Sequence, residues 1–164
     1  MNNRFLINHT VSVFIGITTL VISIRLTEEY FDFNFFKYLI EDLQKLGSLV
    51  VFLLGMFFHE YLHRLGWGLR VTTITNHKKW LIPYCQCETP LERNKFILGL
   101  VLPLICLGLI PYMLGIVLNS EFFFFFSIIM IVPCVSDLII LSKMFNKKGK
   151  FKLMENQNGF DIIE

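Results

Sequence analysis

Apolar residues in this chain come in blocks about as long as a bilayer is thick, and that pattern constrains the fold before anything else does. A window of about 20 residues finds them at Phe5–Leu26, Leu46–Leu65, Phe96–Leu118 and Phe122–Leu141. Hydrophobic residues make up 54% of the 164 positions and charged ones 17%, which is too little polar surface to clothe a soluble domain of this size. The expectation is therefore an all-α membrane protein. Residues 1–145 form one domain of four transmembrane helices, spans 1 to 4, and residues 146–164 form a short cytoplasmic tail. Span 1 follows a single Arg4 and lacks a small-x-small cleavage pattern, so it reads as an uncleaved span.

The connections differ in character. The first, TEEYFDFNFFKYLIEDLQK, mixes acids with aromatics and suits an interfacial helix. The second, RVTTITNHKKWLIPYCQCETPLERNK, sets β-branched residues around a polar turn, which predicts a small cytoplasmic β-hairpin near Thr72–Ile82 between spans 2 and 3. Only Asn119 to Glu121 separate spans 3 and 4, so those two are antiparallel neighbours. The pentaphenylalanine run at 122–126 reads as lipid-facing bulk.

Charge fixes the orientation. Arg64, Arg70, Lys78, Lys79, Arg93 and Lys95 surround the second connection, and Lys143, Lys147, Lys148, Lys150 and Lys152 begin the tail. The first connection is acidic, with Glu28, Glu29, Asp32, Glu41 and Asp42 against Lys37 and Lys45. The positive-inside rule then places both termini in the cytoplasm of a multi-pass protein. A net charge of +2, thinly spread, gives no footprint for nucleic acid.

Span 2 ends in GMFFHEYLHRLGW, which contains a His-Glu-x-x-His pattern. Residues four apart share a helix face, so His59 and His63 can grip one metal ion, each through a ring nitrogen. Glu60, about 100° round the helix, is placed to take a proton from water without ligating the metal. Gly55 and Gly66 lie on much the same face and would let another helix approach closely. As interfacial anchors, Tyr61, His63, Arg64 and Trp67 would need no metal. That reading leaves the ionisable pair His59 and Glu60, directly after Phe57 and Phe58, without a reason to be in a span.

Catalytic zinc needs a third protein ligand. Leu69 stands where the extended metzincin pattern requires His, so that class is excluded. Glu88 and Glu92 in the second connection are candidates, and Asp137 is the acid inside spans 3 and 4. Spans 2 and 4 both run inward, and His59 and Asp137 each fall roughly 5–10 Å inside the cytoplasmic boundary. Pro133, four residues before Asp137, can bend span 4 at that level. Pro103 and Pro111, with Gly99, Gly108 and Gly115, predict a bent and closely packed span 3.

HEYLH at a span end, the following PYCQCETPLERNKFILGLVLP and the later SD of the last span resemble the "putative zincin peptidases", small bacterial integral-membrane proteins, from about Leu46 to Ser142. The chain is more distantly similar to the site-2 proteases, intramembrane zinc enzymes in which two His and a later Asp hold the metal. That resemblance implies His59, His63 and Asp137 as zinc ligands and Glu60 as the catalytic residue. It also implies that a strand here, Thr72, Thr73 and Ile74, pairs with an unwound substrate. Site-2 proteases usually have Gly after the Asp, whereas Leu138 follows here.

The expectation is thus a zinc metallopeptidase of the bacterial cytoplasmic membrane, with membrane lipid and a peptide or membrane-protein substrate as partners. The alternative is a non-catalytic immunity or accessory factor that retains a metal site. Cys85 and Cys87, one residue apart, do not by themselves make a structural zinc site, and with Cys106 and Cys134 they show no disulfide framework.

Overall fold

The computed structural model describes residues 4–6, 9–31, 34, 35, 37, 39, 47–76, 83–87, 89–145, 147, 149, 151–156 and 159–163. Helices dominate it: α1 (His9–Phe31), α2 (Gly47–Trp67), α3 (Arg93–Pro103), α4 (Ile110–Leu118) and α5 (Glu121–Phe145). A π-helical segment, Leu104–Leu109, joins α3 to α4 in one continuous rod. It lies just after Pro103, which cannot donate to the α-helical ladder. Among the described residues, Arg93–Leu118 and Glu121–Phe145 are long and apolar enough to cross a membrane.

Helix α5 is the hub. It packs against α1, α2, α3 and α4, so side chains on several of its faces meet protein. This overturns the lipid-facing reading of the phenylalanine run. Phe122 is exposed, but Phe124 and Phe125 are buried in a core cluster with Ile24, Phe35 and Ile128. A central helix has no outer face to give them. Asn119, left-handed at φ 48°, ends α4 and turns the chain directly into α5, as the short connection required.

The expected hairpin is present. Strands β2 (Thr72–Asn76) and β3 (Pro83–Cys87) pair antiparallel, with Thr72 opposite Cys87 and Ile74 opposite Cys85. Gly68, at φ 113°, ends α2 and turns the chain toward β2; its carbonyl accepts hydrogen bonds from the Val71 N–H at 3.1 Å and the Thr72 hydroxyl at 2.9 Å. A second sheet was not anticipated, so the all-α expectation needs correcting. The order is β1-β6-β5-β4, from β1 (Arg4–Leu6), β4 (Leu91–Glu92), β5 (Lys152–Asn156) and β6 (Gly159–Ile163). A local hairpin of the tail, β5 and β6, forms its centre, and two short strands far apart in sequence, β1 and β4, pair with its two edges. The sheet gathers the starts of α1 and α3 and the end of α5 at one end of the bundle. There Trp67, Cys85, Cys87, Leu91, Phe96 and Phe160 belong to a second core cluster. The interfacial helix expected between spans 1 and 2 lies largely outside the described residues.

The closest helix contact is between α2 and α3. A Cβ on Gly66 would run into the Gly99 backbone, with the Gly99 nitrogen at 2.7 Å. Backbone cannot move aside as a flexible side chain can. Gly66→Ala should therefore destabilise the protein by about 1–3 kcal/mol, whereas Gly16→Ala, whose Cβ would meet only Val132 at 3.8 Å, should be nearly neutral. Thermal unfolding of both variants in detergent checks the contrast.

Candidate metal centre

Helix α2 has two unlike faces. Gly55, His59, His63, Gly66 and Trp67 are buried, while Leu53, Leu54, Phe57, Phe58, Tyr61 and Leu65 are exposed. The phenylalanines before the motif thus point outward, and the imidazoles point into the bundle. Gly55 allows this seat, because a Cβ there would collide with Met130 of α5.

Asp137 of α5 meets the two histidines. Its Oδ2 lies 3.4 Å from Nε2 of His59 and 3.4 Å from Nε2 of His63. The two Nε2 atoms are 3.1 Å apart. All three side chains are buried, and Asp137 Oδ2 has no hydrogen-bond partner. A buried carboxylate oxygen left without a donor is costly unless something else satisfies it. Tetrahedral zinc with donors at about 2.0–2.1 Å spaces neighbouring donors by about 3.3–3.4 Å, close to this triangle. The donor set of two imidazoles and one carboxylate therefore fits a divalent ion. His59, Glu60 and His63 form one group able to hold a metal, and His59, Cys134 and Asp137 form another. Glu92 belongs to neither; it is exposed on β4, opposite Lys152. Glu88 lies outside the described residues.

The model of the family described as "Putative zincin peptidase" matches residues 52–151, more than half of the chain. The chain belongs to this family. No curated protein and no solved structure matches it significantly. The matched stretch runs through α2, the hairpin and α5, and so contains each residue of the triangle.

What holds the two imidazoles was less legible. His63 Nδ1 lies 3.0 Å from the carbonyl oxygen of Gly99. A carbonyl can only accept, so Nδ1 carries the proton and the Nε2 lone pair faces Asp137. Gly99 can offer that oxygen because its usual partner four residues on is Pro103, which has no N–H. The Gly66–Gly99 contact brings the carbonyl within reach. Trp67 then covers the imidazole: its ring stacks on His63 at 5.0 Å and on Phe96 at 5.2 Å, and its Nε1 donates to the Phe96 carbonyl at 3.1 Å.

Cys134 does the corresponding work for His59. Its thiol donates to the Met130 carbonyl at 3.3 Å, and Sγ lies 3.8 Å from His59 Nδ1. With the thiol hydrogen committed to Met130, sulfur can accept from Nδ1, which again leaves Nε2 free toward the metal position. Sequence reading passed over Cys134 as an apolar-run cysteine. The available signal was its position one turn before Asp137 on the same helix.

Glu60 is held from outside the bundle. The backbone N–H of Cys85 on β3 donates to its Oε2 at 2.7 Å. The expected strand residues Thr72, Thr73 and Ile74 are on β2, where Thr72 is buried and Thr73 exposed. Burial, with the nearby Glu60 carboxylate, pushes the Cys85 thiol up to about 12. At neutral pH it is therefore a neutral thiol packed in the core, not a thiolate ligand. No disulfide joins any of the four cysteines.

Pro103→Ala restores an N–H that competes with His63 for the Gly99 carbonyl. Zinc affinity, read by chelator competition, should fall about 10-fold or more, while the metal-free protein keeps or gains thermal stability. Cys134→Ala should weaken zinc similarly, and Cys134→Ser, which keeps an acceptor for His59, should recover most of it. Unchanged affinity in Pro103→Ala and Cys134→Ala would reject these roles.

Proposed function

We propose that the protein is a zinc metallopeptidase set in the bacterial cytoplasmic membrane by four helices, cleaving peptide bonds near the cytoplasmic face. The observation that carries this reading is the buried triangle of His59, His63 and Asp137 with Glu60 on the next helical position. Asp137 Oδ2, buried without a hydrogen-bond donor and 3.4 Å from both imidazoles, is an atom that a bound metal ion would satisfy.

Zinc, when bound there, polarises a peptide carbonyl and acidifies water. Glu60 takes the proton released by the attacking water and passes it to the departing amine. The Cys85 N–H fixes the orientation of that carboxylate, and β3 thereby ties the hairpin to the chemistry. We assign the alignment of an extended substrate to the hairpin that carries Thr72, Thr73 and Ile74. Its β3 edge is the part that meets Glu60. An unwound peptide suits such a site because its free backbone groups need partners. The ligand set of two His from one helix and Asp from the last gives the site its site-2-protease character.

Placement in the membrane rests on the outer surface. Val13, Phe14, Ile17, Val21 and Ile22 of α1, Leu53, Leu54, Phe57 and Phe58 of α2, and Met113, Val117 and Leu118 of α4 are exposed apolar side chains. So many large apolar side chains exposed on three helices suit contact with lipid rather than water. Pairing of β1 with β6 supports both termini on one side, in agreement with the basic second connection and tail.

Glu60→Gln should keep equimolar zinc yet lower cleavage of co-expressed single-span membrane reporters by about 100-fold or more. His59→Ala and Asp137→Ala should lose both zinc and cleavage. Zinc retained in the Asp137 variant would remove it as a ligand. Undiminished turnover in Glu60→Gln would reject the mechanism.

A further inference from the structure

A cavity lies beside Trp67, the ring that stacks on His63 of the candidate metal centre. It has a volume of about 420 Å³ and lies between the end of α2, the start of α3 and the β4–β5 pair. Arg70, Lys95 and Lys152 line it with a single acid, Glu92, and its apolar wall includes Trp67 and Leu69. Three cations against one carboxylate leave an excess of positive charge around a concave space. Lys95 and Lys152 are exposed, so their charges face the opening at little desolvation cost.

The apolar surroundings show what kind of anion this is. Helix α3 runs from the sheet end into the bundle, and Leu98, one turn beyond Lys95, is exposed. Leu69 on the cavity wall and Leu65, at the end of α2, are exposed too. Cations lining the cavity, with exposed aliphatic side chains one helical turn away on the same helices, suit an amphiphile better than a soluble ion. A peptide carboxylate would use the cations but would leave the aliphatic track unexplained.

We propose that this cavity binds the phosphate group of an anionic phospholipid, with Arg70, Lys95 and Lys152 around the phosphate and an acyl chain running along Leu69 and Leu98. Basic pockets at helix ends on the cytoplasmic side suit such headgroups. The inference rests on the membrane placement above but not on peptidase activity. Trp67 lies in the cavity wall and also stacks on His63, so headgroup occupancy is one ring away from the metal site.

Trp67 also supplies the readout. The chain has two Trp residues, and Trp80→Phe leaves Trp67 as the reporter. Full-length zinc-loaded protein of this background, in neutral detergent, is titrated with phosphatidylglycerol, with phosphatidylcholine and with inorganic phosphate. Trp67 emission should respond saturably to phosphatidylglycerol and not to phosphatidylcholine. The apparent affinity should fall about 10-fold or more in Arg70→Gln/Lys95→Gln. It should hold in Lys143→Gln, which removes a cation at the same end of the bundle outside the cavity. Equal responses to both lipids, or a response untouched by the double substitution, would overturn the site. Inorganic phosphate matching phosphatidylglycerol at equal concentration would overturn the lipid source. Because no step needs turnover, Glu60→Gln protein gives the same readout, and failure of the peptidase reading would leave this result standing.

Discussion

The Gly66–Gly99 contact is the constraint on which the metal centre depends. With no side chain on either residue, α2 and α3 approach until backbone meets backbone. At that distance the Gly99 carbonyl reaches His63 Nδ1, and the absence of an N–H on Pro103 leaves that carbonyl available. Two small residues and one proline therefore set the tautomer of an imidazole on a neighbouring helix. Trp67, stacked between His63 and Phe96, closes the same corner, and Phe96 meets Phe160 of the C-terminal strand edge-on at 4.7 Å. The sheet built from the two ends of the chain thus buttresses the site through a column of rings.

Helix α5 supplies the other half. It is the most enclosed helix because it touches each of the others, and it brings Asp137 and Cys134 to the same point from one face. A buried carboxylate needs a partner, and neither Nε2, with its lone pair toward Asp137, gives it a proton. Glu60 is treated differently: its carboxylate is turned toward the hairpin and held by a strand N–H. The two imidazoles and Asp137 are thus enclosed by the bundle, while the Glu60 carboxylate is attached to a strand of the hairpin.

Much of this was legible in the sequence. The four apolar blocks matched α1, α2, the α3–α4 rod and α5 within a few residues. The hairpin lay where β-branched residues flanked a polar turn, and Asp137, singled out as the acid inside the last two spans, lies 3.4 Å from His59. The phenylalanine run misled because composition cannot say which helix is central. The tail hairpin of β5 and β6 is local and was overlooked in a segment read only as a tail, whereas β1 and β4 join it across long stretches of chain and left no local signal. The roles of Pro103, Gly99 and Cys134 escaped because they act through a backbone oxygen and a thiol, and such partners have no signature until helices are docked.

The sequence by itself determined the ingredients and their local placement. The His-Glu-x-x-His spacing puts two imidazoles on one helix face, and the apolar blocks mark out the helices, because helical periodicity and rise per residue are properties of the chain alone. Only the tertiary structure decided which carboxylate meets them, which nitrogen of each imidazole is free, and which strand reaches Glu60. Those outcomes depend on how closely helices distant in sequence can pack, and on which backbone groups that packing leaves without a partner.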